Sequence, residues 1–266
     1  MAEAVMTMPP SPQQSLPSGS WALAAHGLVK RYDRGTVTAL DKFSLAIAPG
    51  EFFGLLGPNG AGKTTALSIF SSLFPPDSGR VEVLGADLET GAKKVLPALG
   101  LVPQELALYQ KFNARENLAF FGRLYGLRGQ RLQRSIEYCL QLAGLSAQER
   151  RPVSGYSGGM KRRLNLAAGL LHTPGILLLD EPTVGIDAQS RRLIHEQLQS
   201  LNRKGMTIVY STHYMEEAQD LCSRIAIVDG GRVVEEGIPS ELLRKYGSRN
   251  LEDLFLSLTG RQLRDT

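Results

Sequence analysis

Apolar and polar residues alternate in short runs near both ends of the ordered sequence and fall into a helical period in its middle. WALAAHGLVKRY and ALDKFSLAIAPG read as two strands joined by a turn at DRG. EFFGLLG is a short, continuously apolar strand that runs into a glycine-rich loop, and KTTALSIFSSLF follows with helical spacing. PPDSG is a turn, and RVEVLG is a further strand. From about Arg115 to Leu171 the helical period dominates, in ENLAFFGRLYG, RLQRSIEYCLQLAGL and SGGMKRRLNLAAGLL. Strands return in GILLLD, TIVYST and RIAIVDGG, with helices in DAQSRRLIHEQLQSLNRKG and YMEEAQDLC between them. SELLRKYG and NLEDLFLSLTG predict two short closing helices. This alternation predicts an α/β fold with a mostly parallel, helix-flanked sheet. Residues 1–20, rich in Pro, Ser and Gln and without period, predict a disordered tail.

Composition narrows the picture only a little. A chain of 266 residues can bury a sizeable core, and 42% hydrophobic with 21% charged residues is ordinary for a soluble globular protein. No apolar run approaches the roughly 18–20 residues of a membrane span. No secretory pattern opens the chain, so the expected location is the cytoplasm. Cys139 and Cys222 lie among apolar neighbours and read as small buried hydrophobes, not as a disulfide. The net charge of +4 does not point to nucleic acid. Between Arg123 and Arg163, nine Arg or Lys face two acids, a surface suited to anionic lipid or simply to solvent.

The chemistry begins at GPNGAGKT. Gly57, Pro58, Asn59, Gly60, Ala61, Gly62, Lys63 and Thr64 satisfy every fixed position of G-x-x-x-x-G-K-[ST], with a strand before and a helix after. Backbone N–H groups of such a loop turn inward around a phosphate chain, and the helix start adds favourable partial charge. Lys63 is suited to the outer phosphates and Thr64 to Mg²⁺. The apolar run ILLLD delivers Asp180 to the carboxyl edge of the sheet, where it can help hold Mg²⁺. Glu181 follows, suited to polarising an attacking water. A second anion-binding turn, YSGGM, lies almost a hundred residues after the Gly57 loop and ahead of ILLLD, just before a helix, with Lys161, Arg162 and Arg163 adding positive potential.

The phosphate loop, YSGGM, LLLDEP and the later STH, in that order, resemble the ATP-binding subunit of an ABC transporter. The likeness runs from about Trp21 to Ile238. It implies a P-loop core with an antiparallel β subdomain, a helical insertion at about 105–172, and a short helical tail at 239–266. It implies ATP and Mg²⁺ as ligands, bound between two subunits packed head to tail as a homodimer or heterodimer. Ser157, Gly158 and Gly159 would then face the partner's nucleotide, which gives one chain a reason to carry two phosphate-gripping turns. The likeness further assigns Tyr32 to adenine stacking and Thr65 to the nucleotide loop. It assigns Gln104 to Mg²⁺ and the attacking water, His213 to the γ-phosphate, and Asp187 to a loop crossing the dimer interface. That loop has Val184 where the family usually has a small polar residue. His26, His172 and His195 have no such context and read as structural. The ends of the signature, Tyr156 and Met160, are similar to those of ABC-2-type exporters of drugs, polysaccharides or lipids. A separate membrane permease is the implied partner, docking near ELALYQKFN, and membrane association runs through it. No nucleic acid is implied.

Two other classes compete. A stand-alone ABC ATPase could act on a ribosome, DNA or an assembly scaffold, although translation factors of this type join two ATPase units in one chain. A generic P-loop kinase or GTPase would lack a use for YSGGM, and the guanine-reading N-K-x-D is absent.

Overall fold

A computed structural model describes residues 20–145 and 150–260. The predicted disordered tail lies outside the described residues except for Ser20, as do the last six residues of the closing segment. The chain opens with β1 (Leu23–Tyr32), β2 (Val37–Ile47), β3 (Phe52–Leu56), α1 (Lys63–Phe70), β4 (Ser78–Val83), β5 (Ala86–Asp87), α2 (Leu88–Val95) and β6 (Leu99–Val102). Three helices follow, α3 (Ala114–Leu124), α4 (Gly129–Leu142) and α5 (Gly158–Leu170). The second half is β7 (Ile176–Asp180), α6 (Ala188–Arg203), β8 (Thr207–Thr212), α7 (Met215–Leu221), β9 (Arg224–Asp229), β10 (Arg232–Gly237), α8 (Pro239–Tyr246) and α9 (Leu251–Thr259).

Two sheets carry the architecture. One is antiparallel with order β2-β1-β4-β5. The other has order β10-β9-β3-β8-β7-β6, parallel except for β10 at its edge. The central strands FFGLL, ILLLD and TIVYST are buried along their whole length, which explains why they read as continuous apolar runs. Both faces of the parallel sheet are covered, one by the antiparallel sheet with α1, the other by the helices. The helical insertion sits between β6 and β7 and is set by local signals. Asn113 and Glu116 form a reciprocal capping box at the start of α3. Asn117, fully buried, accepts from Tyr109 N–H at 2.8 Å and donates to the carbonyls of Tyr109 and Asn113, shaping the loop ahead of the helix. No helix among the described residues is long and apolar enough to cross a membrane.

Arginine side chains join the two sheets, Arg232 of β10 by donating to Asp41 of β2 and Arg224 by a wider fork. Arg224, at the start of β9, donates to Glu51 Oε1 at 2.6 Å, to Glu236 on β10 and to the Ala46 carbonyl on β2. Its guanidinium also lies over the Phe53 ring, 5.0 Å from the centroid. Removing it leaves two carboxylates and a carbonyl without their donor. Arg224→Ala is expected to cost about 3 kcal/mol, read as a fall in Tm of roughly 5–10 °C. Arg224→Lys should recover only part, because an ammonium cannot serve this fork.

Candidate functional site

The Gly57–Thr64 loop leaves β3 at the carboxyl edge of the parallel sheet and closes into α1. Gly62 has φ +107°, and a Cβ there would lie 2.5 Å from the Ala39 carbonyl, so only glycine fits. The loop is held from outside by a bond from Gly231 N–H to the Ala61 carbonyl at 3.0 Å. Lys63 is 4% exposed; its ammonium donates to the carbonyls of Gly57 at 2.7 Å and Pro58 at 3.0 Å. Thus the lysine predicted to serve phosphates lies across the mouth of its own loop.

Lys63 also reaches Glu181 Oε1 at 3.2 Å, and His213 Nδ1 lies 3.1 Å from Glu181 Oε2. The sequence-predicted residues Lys63, Glu181 and His213 therefore meet at one carboxylate. Burial pushes the Lys63 amine below its ordinary range, and the Glu181 and Asp180 charges pull it partly back. Glu181 stands at φ +43°, a strained value for a non-glycine residue. It is held there by its N–H, which lies 3.1 Å from Ser211 Oγ and 3.2 Å from the Ser211 carbonyl. Ser211 Oγ donates to Asp180 Oδ1 at 2.6 Å, which orients the carboxylate at the end of β7. Asp180 is 4% exposed and Thr64 is exposed, a carboxylate and a hydroxyl at the same sheet edge. These are hard oxygen donors of the kind Mg²⁺ takes.

Tyr32 is exposed at the end of β1, with its hydroxyl 3.5 Å from Thr65 Oγ1 and its ring edge-on to Phe74. An open aromatic face therefore stands beside the phosphate loop. Gln104 lies exposed on the loop leaving β6, and its carbonyl accepts from Arg162. Asn165, one turn along α5, clamps the same loop: it donates to the Pro103 carbonyl at 3.2 Å and accepts from Ala107 N–H at 3.2 Å. Arg162 is also near enough to Glu181 for that charge to act on it.

At the second turn, Ser157 caps α5, accepting from Met160 N–H at 3.2 Å. Ser157 and Gly158 are exposed, whereas Gly159 is buried against α6. Asp187 caps α6 by accepting from Ser190 N–H at 2.8 Å. A Cβ on Gly159 would lie 2.0 Å from Ser190 Oγ and 3.1 Å from Asp187 Oδ2. The signature turn and the Asp187 loop thus interlock within one chain. Two members of the positive run behind the turn also serve the fold. Arg162 bonds the Gln104 carbonyl and Arg163 bonds the Ala143 carbonyl, so both guanidiniums bind backbone of their own chain.

The three histidines read as structural keep to structural surroundings. His26 is exposed near Glu82, and His172 stacks on Tyr125 with Nε2 2.8 Å from the Leu99 carbonyl. His195 lies 3.6 Å from the buried Glu217, a carboxylate that no motif marks. Cys139 and Cys222 are buried free thiols, and burial pushes Cys139 up to about 12.

Residues 40–184, just over half the chain, match the ABC transporter family. This chain belongs to that family. Its relatives include the linearmycin resistance ATP-binding protein of Bacillus subtilis, 44% identical over 236 residues, which span 88% of this chain and 75% of that protein. The Nod factor export ATP-binding protein I of Paraburkholderia xenovorans is 44% identical over 221 residues, 83% of this chain and 73% of that one. Among solved structures, the dimeric, post-hydrolysis ATP-binding cassette MJ0796 bound to ADP and Pi aligns with TM-score 0.74 at 28% identity, over 81% of this chain and 98% of that one. The fold of this ABC ATPase is therefore the α/β cassette expected from sequence, and ATP is its substrate.

The Gly159 interlock gives a direct test of the site's construction. Gly159→Ala should lower stability by about 1–3 kcal/mol through overpacking. Adding Ser190→Gly, which removes the opposing Cβ and Oγ, should return part of that loss in thermal melts. Losses that simply add would contradict the interlock.

Proposed function

We propose that two copies of this chain, or this chain and a related ATPase, close around two ATP molecules and use their hydrolysis to drive export through a separate membrane permease. The observation that carries the reading is the convergence of Lys63 and His213 on Glu181 at the end of the phosphate loop. A carboxylate held between a cation and an imidazole has the two groups it needs for hydrolysis beside it: one to neutralise phosphate charge, one to fix the developing geometry. With ATP in the loop, backbone N–H groups of Gly57–Thr65 take the phosphates, and Lys63 transfers its ammonium from the Gly57 and Pro58 carbonyls to phosphate oxygen. Glu181 is then free to accept a proton from water, and His213 to donate to the γ-phosphate. Thr64, Asp180 and Gln104 would hold Mg²⁺, which when bound neutralises charge on the phosphate chain. Tyr32 supplies the stacking face for adenine.

Ser157, Gly158 and Gly159 serve the partner's nucleotide in this reading, and Asp187 crosses to the partner beside them. The exposure of Ser157, Gly158 and Asp187, and the interlock of Gly159 with Ser190 beneath them, support it, since both strips then meet the other subunit together. The permease docks on the loop between Gln104 and α3. Support comes from an aromatic cluster there: Tyr109 and Phe112 are 45% and 38% exposed, and the Tyr109 ring packs 4.6 Å from Phe120 and 5.3 Å from Phe112. Clustered aromatics on an open surface favour a protein partner over solvent. The roles for which the relatives are named, resistance and export, favour transport over a ribosome or scaffold target and favour the outward direction. The chain would lie on the cytoplasmic face of the membrane, held by the permease.

Glu181→Gln is the deciding variant. It should bind ATP, shift to dimer on size-exclusion chromatography with ATP, and lose turnover by on the order of 10²-fold or more. Turnover near that of the wild type would remove Glu181 from its role.

A further inference from the structure

Besides Asp180 and Glu181, a third carboxylate is buried, Glu217 on α7. It is 5% exposed. It accepts from Thr183 Oγ1 at 2.8 Å, Tyr210 OH at 2.8 Å and Thr212 Oγ1 at 3.1 Å. Two side chains of α6 approach it, the Arg191 guanidinium with Nε at 3.5 Å and the His195 imidazole with Nε2 at 3.6 Å. Burial works against its charge, yet His195, Thr183 and Tyr210 together outweigh burial and hold the carboxyl below its ordinary value.

Each of these partners sits on a segment that also carries a site residue. Thr183 stands two residues after Glu181. Thr212 immediately precedes His213, and its Oγ1 also accepts from Tyr214 N–H at 2.9 Å, which fixes the backbone on the far side of the histidine. Arg191 and His195 lie on the helix that Asp187 caps. Arg191 also covers the Tyr214 ring, 5.4 Å from its centroid. Glu181 needs such a support, because its φ of +43° is unfavourable by itself and persists only where neighbours over-determine it.

We propose that Glu217 is the positioning residue of the hydrolytic site: one buried carboxylate ties the Glu181 turn, the His213 strand end and the Asp187-capped helix into a single unit. It touches neither phosphate nor water, and acts through Thr183 and Thr212. A carboxylate suits this place because it can accept from several hydroxyls at once while facing the Arg191 guanidinium and the His195 imidazole. A glutamine there keeps the shape but replaces one acceptor with a donor that faces hydroxyls and a guanidinium. The inference rests on the ATPase reading of the Lys63–Glu181–His213 site.

The test measures kcat, ATP affinity and Tm in the full chain for Glu217→Gln, Thr183→Val and both together, with Glu181→Gln as control. Glu217→Gln should lower kcat on the order of 10-fold or more, with ATP affinity unchanged. Thr183→Val should lower kcat in the wild-type background and add nothing when Gln stands at 217, because both changes break the same link. Wild-type kcat in Glu217→Gln overturns the proposal. So does a fall in Tm with kcat per ATP-binding site unchanged, which is what a merely structural role gives. If Glu217→Gln fails to fold, Thr183→Val decides alone: reduced kcat at unchanged ATP affinity supports the link, and wild-type kcat removes it. An inactive Glu181→Gln beside a fully active Glu217→Gln defeats only the positioning role. An active Glu181→Gln defeats the site reading beneath it, and this proposal with it.

Discussion

Everything in this site depends on keeping Lys63, Glu181 and His213 together in a place where water is scarce. Taking an ammonium and a carboxylate out of solvent costs several kcal/mol per ion before any contact repays it. The chain repays it with geometry: Lys63 satisfies its donors on two loop carbonyls and one carboxylate. That geometry exists only because β3, β7 and β8 are adjacent parallel strands whose carboxyl ends share one edge. The phosphate loop leaves the first, Asp180 and Glu181 the second, and His213 the third. A low-dielectric setting also makes each charge act strongly on a phosphate, so the cost of burial and the power of the site have one origin.

The second half of the account is a division of labour within one chain. The buried loop end is the proposed seat of a nucleotide; the second turn exposes Ser157 and Gly158 and sets Gly159 against Ser190 of α6 behind them. Arg162 and Asn165 bind the loop around Gln104, on the same helix that Ser157 caps. Two side chains one helical turn apart thus tie that loop to the helix of the signature turn. With Gly159 locked onto Ser190, the signature turn, the Gln104 loop and the Asp187 cap behave as one connected surface.

Much of this was legible in the residues, and the failures have physical causes. Buried parallel strands betray themselves as apolar runs, so FFGLL, ILLLD and TIVYST were correctly placed. β6 was missed because LGLV is four residues long, too short for a period, and β10 because RVVEEG is an edge strand that carries charge. α2 was hidden by a threonine and a glycine inside LETGAKKV, although Asp87 caps it. KTTALSIFSSLF ends as a helix at Phe70, sooner than its spacing suggests. In the positive run after YSGGM, Arg162 and Arg163 also bind the distant carbonyls of Gln104 and Ala143, a use that sequence spacing cannot display. Glu217 was invisible for the same reason. Its partners come from three separate segments, and only the folded sheet brings them to it.

The central claim is that the signature turn completes the nucleotide site of another subunit. Disulfide trapping tests it most directly, because the native thiols Cys139 and Cys222 are buried. One chain carries Asn59→Cys, a second carries Ser157→Cys, both with Glu181→Gln to hold ATP in place. The account predicts a covalent dimer that forms only when the two chains are mixed and ATP is present. A mixture that gives no such dimer with ATP, beside a chain carrying both cysteines that closes on itself, would contradict it.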